Sequence, residues 1–339
     1  MSNASSRLGL WRYIFVPAML AMLVGCPPAK EETKKGKEVP DAEAQAAKEK
    51  EILDLFKEKQ PEDLPRIFLD KGVQTKDDPD GRFMLLKMAR DYSAKEQDVD
   101  RAFLAVDELA KSFDIDALEW KRETMAKLIE NTKSSDMNYD LTNECLRLVD
   151  GSEGAKRLQH NCVEADRYDI ANALLDMAET THKKVKPSKD VSQDEIKEQE
   201  SKMAATKKKI QEMEKEFEAA KAARETLETK PDDKSANLTW GKYLCTIKGN
   251  WTKGLPMLEK SEDPELAPPA KKDIALPSNG DDQVKLGDDW WGLGEKEQGI
   301  ARQQLKKRAA FWYKKAENSV AGLTQERIKK SIREVERKD

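Results

Sequence analysis

The sequence predicts an all-α protein, an array of packed helical hairpins with one long charged helix among them. Three observations carry that expectation. Charged residues make up 37% of the 339-residue chain and aromatics only 6%, with Ala, Glu, Lys and Leu filling long stretches that hold few β-branched runs, a composition that favours helix. Apolar residues recur at spacings of three and four through most of the chain. Most of the tryptophans gather between Lys230 and Leu323, in PDDKSANLTWGKYL, GNWTKGLPMLEKS, LGDDWW and RAAFWYKKA, where small and aromatic residues share helical spacing.

The N-terminus reads as an address. Arg7 and Arg12 precede the thirteen-residue apolar run Tyr13–Gly25, too short for a bilayer core that needs about 20 helical residues. A basic start, a short apolar run and small residues before a cut make residues 1–25 a secretory signal peptide. Leu23-Val24-Gly25-Cys26 resembles the lipobox of bacterial lipoproteins, which implies that Cys26 is acylated and that the folded part faces the periplasm, held to a membrane of the cell envelope. Residues 26–47, Cys26 followed by PPAKEETKKGKEVPDAEAQAA, mix prolines and charges with no apolar period until Ile52, and are expected to form a disordered tether.

Residues 48–190 read as N-terminal helical hairpins. Two short amphipathic helices are broken near Pro61. The following TKDDPDGR has Asp78, Asp80 and Gly81 at calcium-loop spacing, but Lys76 and Lys87 stand where the first and last acids belong, so a helix cap is expected. One helix then carries Leu85, Leu86, Ala89 and Tyr92, and its partner Ala102, Val106 and Leu109, with a turn at Gln97 and Asp98. A helix from about Asp116 to Asn131, another over Leu141 to Val149, a Gly-Ser-Glu-Gly turn, and a helix with Ala171, Leu175 and Ala178 on one face complete the segment. Residues 191–229 read as one long helix. Its a and d positions, Ile196, Gln199, Met203, Thr206, Ile210, Met213, Phe217, Ala220, Arg224 and Leu227, make an imperfect apolar seam. The expectation is that it docks within its own chain with Phe217 and Leu227 inward, rather than forming a dimeric coiled coil, and that the protein is a monomer.

Residues 230–339 repeat a spacing. Gly241, Leu244 and Gly254 match, to within one position, the small–large–small pattern of a tetratricopeptide unit. Gly287 and Trp290, then Ala309, Tyr313 and Ala316, keep its two halves, set ten residues further apart than usual. Together with YLC, KGNW, GLPMLEKS, GDDWW, EKEQGIARQQLKKRAAFWYKKA and a closing GLT, this resembles a tetratricopeptide-like helical module of exported proteins in planctomycete-type bacteria, from roughly Ala46 onward. The resemblance implies a fold and an exported context, and it supplies no catalytic residues. Gly292 and Gly294 break what such relatives keep as plain helix, so a frayed or bent helix is expected there.

No reaction is legible. GNWTKGLP and GLGEKE lack the residues of phosphate and dinucleotide loops, and neither a nucleophile elbow nor a His-Glu-x-x-His pair occurs. With two histidines, His160 and His182, imidazole chemistry has little to draw on. A formal charge of −4 with interleaved signs leaves no footprint for nucleic acid. No enzyme, cofactor or metal site is therefore expected, a zinc site at His160 and Cys162 included. Cys145 and Cys162 flank the Gly151 turn and either form a disulfide or remain, with Cys245, buried thiols. Trp240, Trp251, Trp290, Trp291 and Trp312 could stack on sugars or fill the core. Trp290 and Trp291, about 100° apart on a helix, cannot both point inward, so one is expected to be an exposed contact. The function expected is a scaffold that binds an unidentified envelope protein, with a cell-wall carbohydrate as the alternative ligand.

Overall fold

The computed structural model describes residues 36–132, 134–151 and 161–337; the signal peptide, Cys26 and His160 lie outside the described residues. From Gly36 onward the chain forms one compact unit. Among the described residues all regular structure is helical except an isolated parallel bridge between Lys37 and Phe113.

Side-chain caps set where the first helices begin. The carboxylates of Asp41, Asp78, Asp98 and Asp116 each accept a backbone N–H from the first turn of α1 (Ala42–Leu55), α3 (Pro79–Lys95), α4 (Val99–Ala110) and α5 (Ala117–Asn131). TKDDPDGR is therefore a capped turn, with Asp78 receiving Gly81 N–H at 2.9 Å. Between α1 and α3, α2 (Leu64–Gln74) follows a single 3-10 turn at Pro61. Helix α6 (Ser135–Asp150) stops at Gly151, whose φ of 73° is open to glycine at no steric cost. Next come α7 (Tyr168–His182) and α8 (Gln193–Thr229), the latter opened by a reciprocal Ser192–Glu195 capping box. The C-terminal part holds α9 (Lys234–Lys242), a π turn (Tyr243–Ile247), α10 (Trp251–Lys260), α11 (Ala267–Ile274), α12 (Gly280–Lys296), α13 (Gly299–Ala316) and α14 (Gly322–Glu336).

Two sequence expectations are corrected. Part of the stretch assigned to the tether is structured: Lys37 donates to Ser112 O and its own carbonyl accepts from Asp114, both at 2.9 Å, and α1 starts at Ala42. The apolar period missed this because α1 buries only Ile52 and is otherwise helical by its Ala, Glu and Lys content. Likewise, α12 runs unbroken through Gly292 and Gly294. At Gly294 the lost propensity is offset by packing, since an added Cβ would lie 3.2 Å from Lys306 Cγ and 3.3 Å from Leu305 Cβ.

Neighbouring helices pack in sequence, α2 on α3, α3 on α4, α6 on α7, α10 on α9, α12 on α13 and α13 on α14. Glycines mark two close approaches. A Cβ at Gly241 would press on Leu258 and Met257, and one at Gly254 on Cys245, so as the index rises on α9 and the π turn it falls on α10. Gly287 against Tyr313 and Gly294 against Lys306 give α12 and α13 the same antiparallel relation. Helix α8 packs against α6, α7, α9 and the π turn. Ile196, Gln199, Thr206, Ile210, Met213 and Ala220 are buried, Met203, Phe217 and Leu227 are half-buried against the same core, and Arg224 alone of the seam is exposed.

Candidate functional site

The tryptophan-rich C-terminal helices are built around one acid. Short helix α11 delivers Asp273, 1% exposed, into the space between α12 and α13. There its Oδ2 accepts Trp290 Nε1 and Trp312 Nε1 at 2.8 Å each and Arg308 Nε at 2.9 Å, while Arg308 also reaches Oδ1. Burying a carboxylate is tolerable only when it is paired and hydrogen-bonded, and here two indoles and a guanidinium meet that need. Trp251 closes the cluster, edge-on to Trp290 at 5.1 Å and covered by the Arg308 guanidinium at 5.2 Å. The indole N–H groups are thus spent inside the fold. Of the adjacent pair, Trp290 is the buried one. Trp291 is half-buried, with Lys306 Nζ 4.2 Å above its ring, so the expected open aromatic contact is not found at either residue.

A second polar cluster sits at the π turn, a local widening of the helix by i→i+5 hydrogen bonding. Lys248 N–H reaches back five residues to Tyr243 O at 3.1 Å. Tyr243 Oη donates to Asp166 at 2.5 Å and accepts from Tyr168 Oη at 2.9 Å. Asp166, in the left-handed region at φ 57°, is held there by Lys248, whose ammonium also donates to the carbonyls of Val163 and Glu164. Burial pushes the Tyr168 phenol up to about 12, and burial together with donation to Asp166 raises Tyr243 further. Both phenols stay protonated at neutral pH. Trp240 stacks on Tyr243 at 5.0 Å, and Phe217 of α8 lies against both tyrosines, so the cluster fastens α7, α8 and the π turn together.

Cys145, Cys162 and Cys245 are all free and buried; Cys145 and Cys162 are not bonded to each other. Burial raises all three thiols, Cys162 up to about 12, which removes the thiolate that reactivity or metal binding would need. His182 pairs with Gln199 at 2.9 Å. Among the described residues no group of three His, Cys, Asp or Glu side chains is placed to hold a metal.

What sequence reasoning missed is a groove on the outside. Between α13 and the last turn of α14 lies a cavity of about 210 Å³, lined by Arg302, Gln303, Lys306 and Lys307 on one side and Glu334 and Val335 on the other. Its signal was in view: the eighteen residues GIARQQLKKRAAFWYKKA hold six bases and no acid. One turn beyond Lys307, Phe311 is 40% exposed. No family model, curated protein or solved structure matches the chain.

Proposed function

We propose that this is a non-catalytic, lipid-anchored protein of the cell envelope that binds a protein partner on a stack of tetratricopeptide-like helix pairs. The observation that carries the reading is how the aromatic residues are distributed. Trp240, Trp290 and Trp312 are buried, and Trp251 and Trp291 are half-buried under cations. What stays open on α13 is a basic stripe with a single aromatic. Sugar sites offer flat ring faces, whereas protein interfaces favour an aromatic set among Arg and polar groups. The close approaches at Gly241, Gly254 and Gly287 support the repeat resemblance, because small residues at those places are what let paired helices touch. The address rests on the lipobox-like Leu23–Cys26; two or three acyl chains, at about 0.8 kcal/mol per buried methylene, would hold the chain firmly.

The test is affinity capture from solubilised envelope by the full acylated chain, run beside a glycan array. The expected result is a stoichiometric protein partner, no saturable glycan signal, and loss of membrane association on Cys26→Ser. Glycan binding without a protein partner would favour the cell-wall carbohydrate reading, and unchanged fractionation of the Cys26 variant would remove the anchor.

A further inference from the structure

We propose that the groove between α13 and α14, continued along α13 by Phe311, docks an acidic segment of a partner protein that carries a bulky apolar side chain. This rests on the protein-binding reading and names the partner's chemistry. Gln303, Lys307, Phe311 and Lys315 follow one another every four residues and are all exposed, so they form a single outward stripe. Its length is about 18 Å, the span of five or six residues of extended peptide. Arg308 and Lys315 lie 4.6 and 4.8 Å from the Phe311 ring, so the exposed aromatic has cations beside it; aromatic residues and Arg, though not Lys, are enriched at protein interfaces.

The chain's own carboxylates mark where a partner's would sit. Lys306 is 6% exposed, yet its ammonium is met from the solvent side by Glu295 at 2.5 Å and Glu334 at 3.3 Å. Those two acids are 48% and 41% exposed, so either can swing into solvent when a partner's carboxylate takes its place beside the Lys306 ammonium, which as a buried cation must keep an anion next to it. The acid held by Arg308, Asp273, is by contrast fully buried and cannot be exchanged. The cavity, smaller than the roughly 300 Å³ at which drug-sized ligand pockets begin, takes one side chain rather than a cofactor. An anionic lipid surface fits less well, because Glu295, Glu334 and Glu336 border the stripe and would face the lipid charge, whereas a short peptide can place its acids on the cations alone.

The test titrates the whole chain into a fluorescein-labelled ten-residue peptide alternating Glu and Leu, at about 50 mM salt where exposed charges are least screened. Saturable binding is expected, weakened at least tenfold by Lys307→Glu and by Phe311→Ser and unchanged by Lys330→Glu on α14; the matching Lys and Leu peptide should not bind. Both altered positions are exposed, and matched thermal melts establish that the variants fold. Equal binding by the groove variants, equal binding of the lysine peptide, or no saturation would overturn the proposal. So would variant-sensitive binding to vesicles containing phosphatidylglycerol in place of the peptide. If the groove variants still capture the wild-type chain's envelope partner, the groove is wrong and the protein-binding reading stands; if no form captures a protein, that reading falls and the groove with it.

Discussion

Asp273 occupies the most demanding position of any side chain in the C-terminal helices. A carboxylate without solvent survives only by collecting donors, and its four come from Trp290, Trp312 and both ends of the Arg308 fork. Replacing it with Asn keeps the shape but, whichever way the amide is turned, sets its NH2 against donors, the two indoles or the Arg308 guanidinium, and leaves the half-buried Arg308 without its acid. Breaking a buried pair in this way costs about 3–5 kcal/mol, so Asp273→Asn should lower the unfolding free energy by that amount, read from the midpoint shift in urea. A loss below about 1 kcal/mol, the scale of an ordinary exposed pair, would contradict the role given to it. None of this was legible locally. In KKDIALP the acid looks like one more solvated charge, and its partners lie 17, 35 and 39 residues away. The WW pair was legible to the extent that one ring had to turn outward; that Trp290 is the inner one is set by Asp273, and that Trp291 is covered is set by Lys306.

Helices were legible where their chemistry is local. The cap at Asp78, the helix start near Asp116, the turn before α4 and the seam of α8 all lie within a few residues of what they control. The start of α1 was not, because a helix without an apolar stripe gives no periodic signal. Glycines separate the two cases most sharply. Gly254 and Gly292 both sit inside helices, where alanine is favoured by about 1 kcal/mol. A Cβ at Gly292 meets nothing within 4 Å, while one at Gly254 would overlap Cys245 Sγ and lie 3.1 Å from Gly241 O. Gly292→Ala should therefore stabilise by up to about 1 kcal/mol, and Gly254→Ala should destabilise by about 1–3 kcal/mol through overpacking. Thermal melts of the two variants check this, and shifts of the same sign would mean that the α9–α10 approach is looser than described.

At the scale of the whole molecule, α8 joins the N-terminal hairpins to the C-terminal helices. Its 37 residues make a rod of about 55 Å. The polar residues of its seam are matched to its own chain. Gln199 donates to Tyr139 O at 2.9 Å and Asn143 Oδ1 at 2.8 Å on α6 and pairs with His182 of α7. Glu212 accepts Ile300 N–H at 2.9 Å at the start of α13, and Arg224 lies 5.7 Å from the Trp240 ring. Thr206, Ile210 and Met213 are buried in the same chain, so a second copy would find the seam already covered. From Gly36 onward the helices form one compact unit, and we propose that it acts as a monomer and offers its outer faces to a partner.

Sedimentation of the chain from Pro27, with and without Ile210→Asp and Phe217→Asp, tests that claim most directly. Monomer mass is expected at every concentration, with both substitutions lowering the melting temperature and leaving the mass of the folded species unchanged, because Ile210 is fully buried and Phe217 packs on Tyr168 and Tyr243. A dimer that persists on dilution, and that the same substitutions convert to a folded monomer with an unchanged melt, would contradict it.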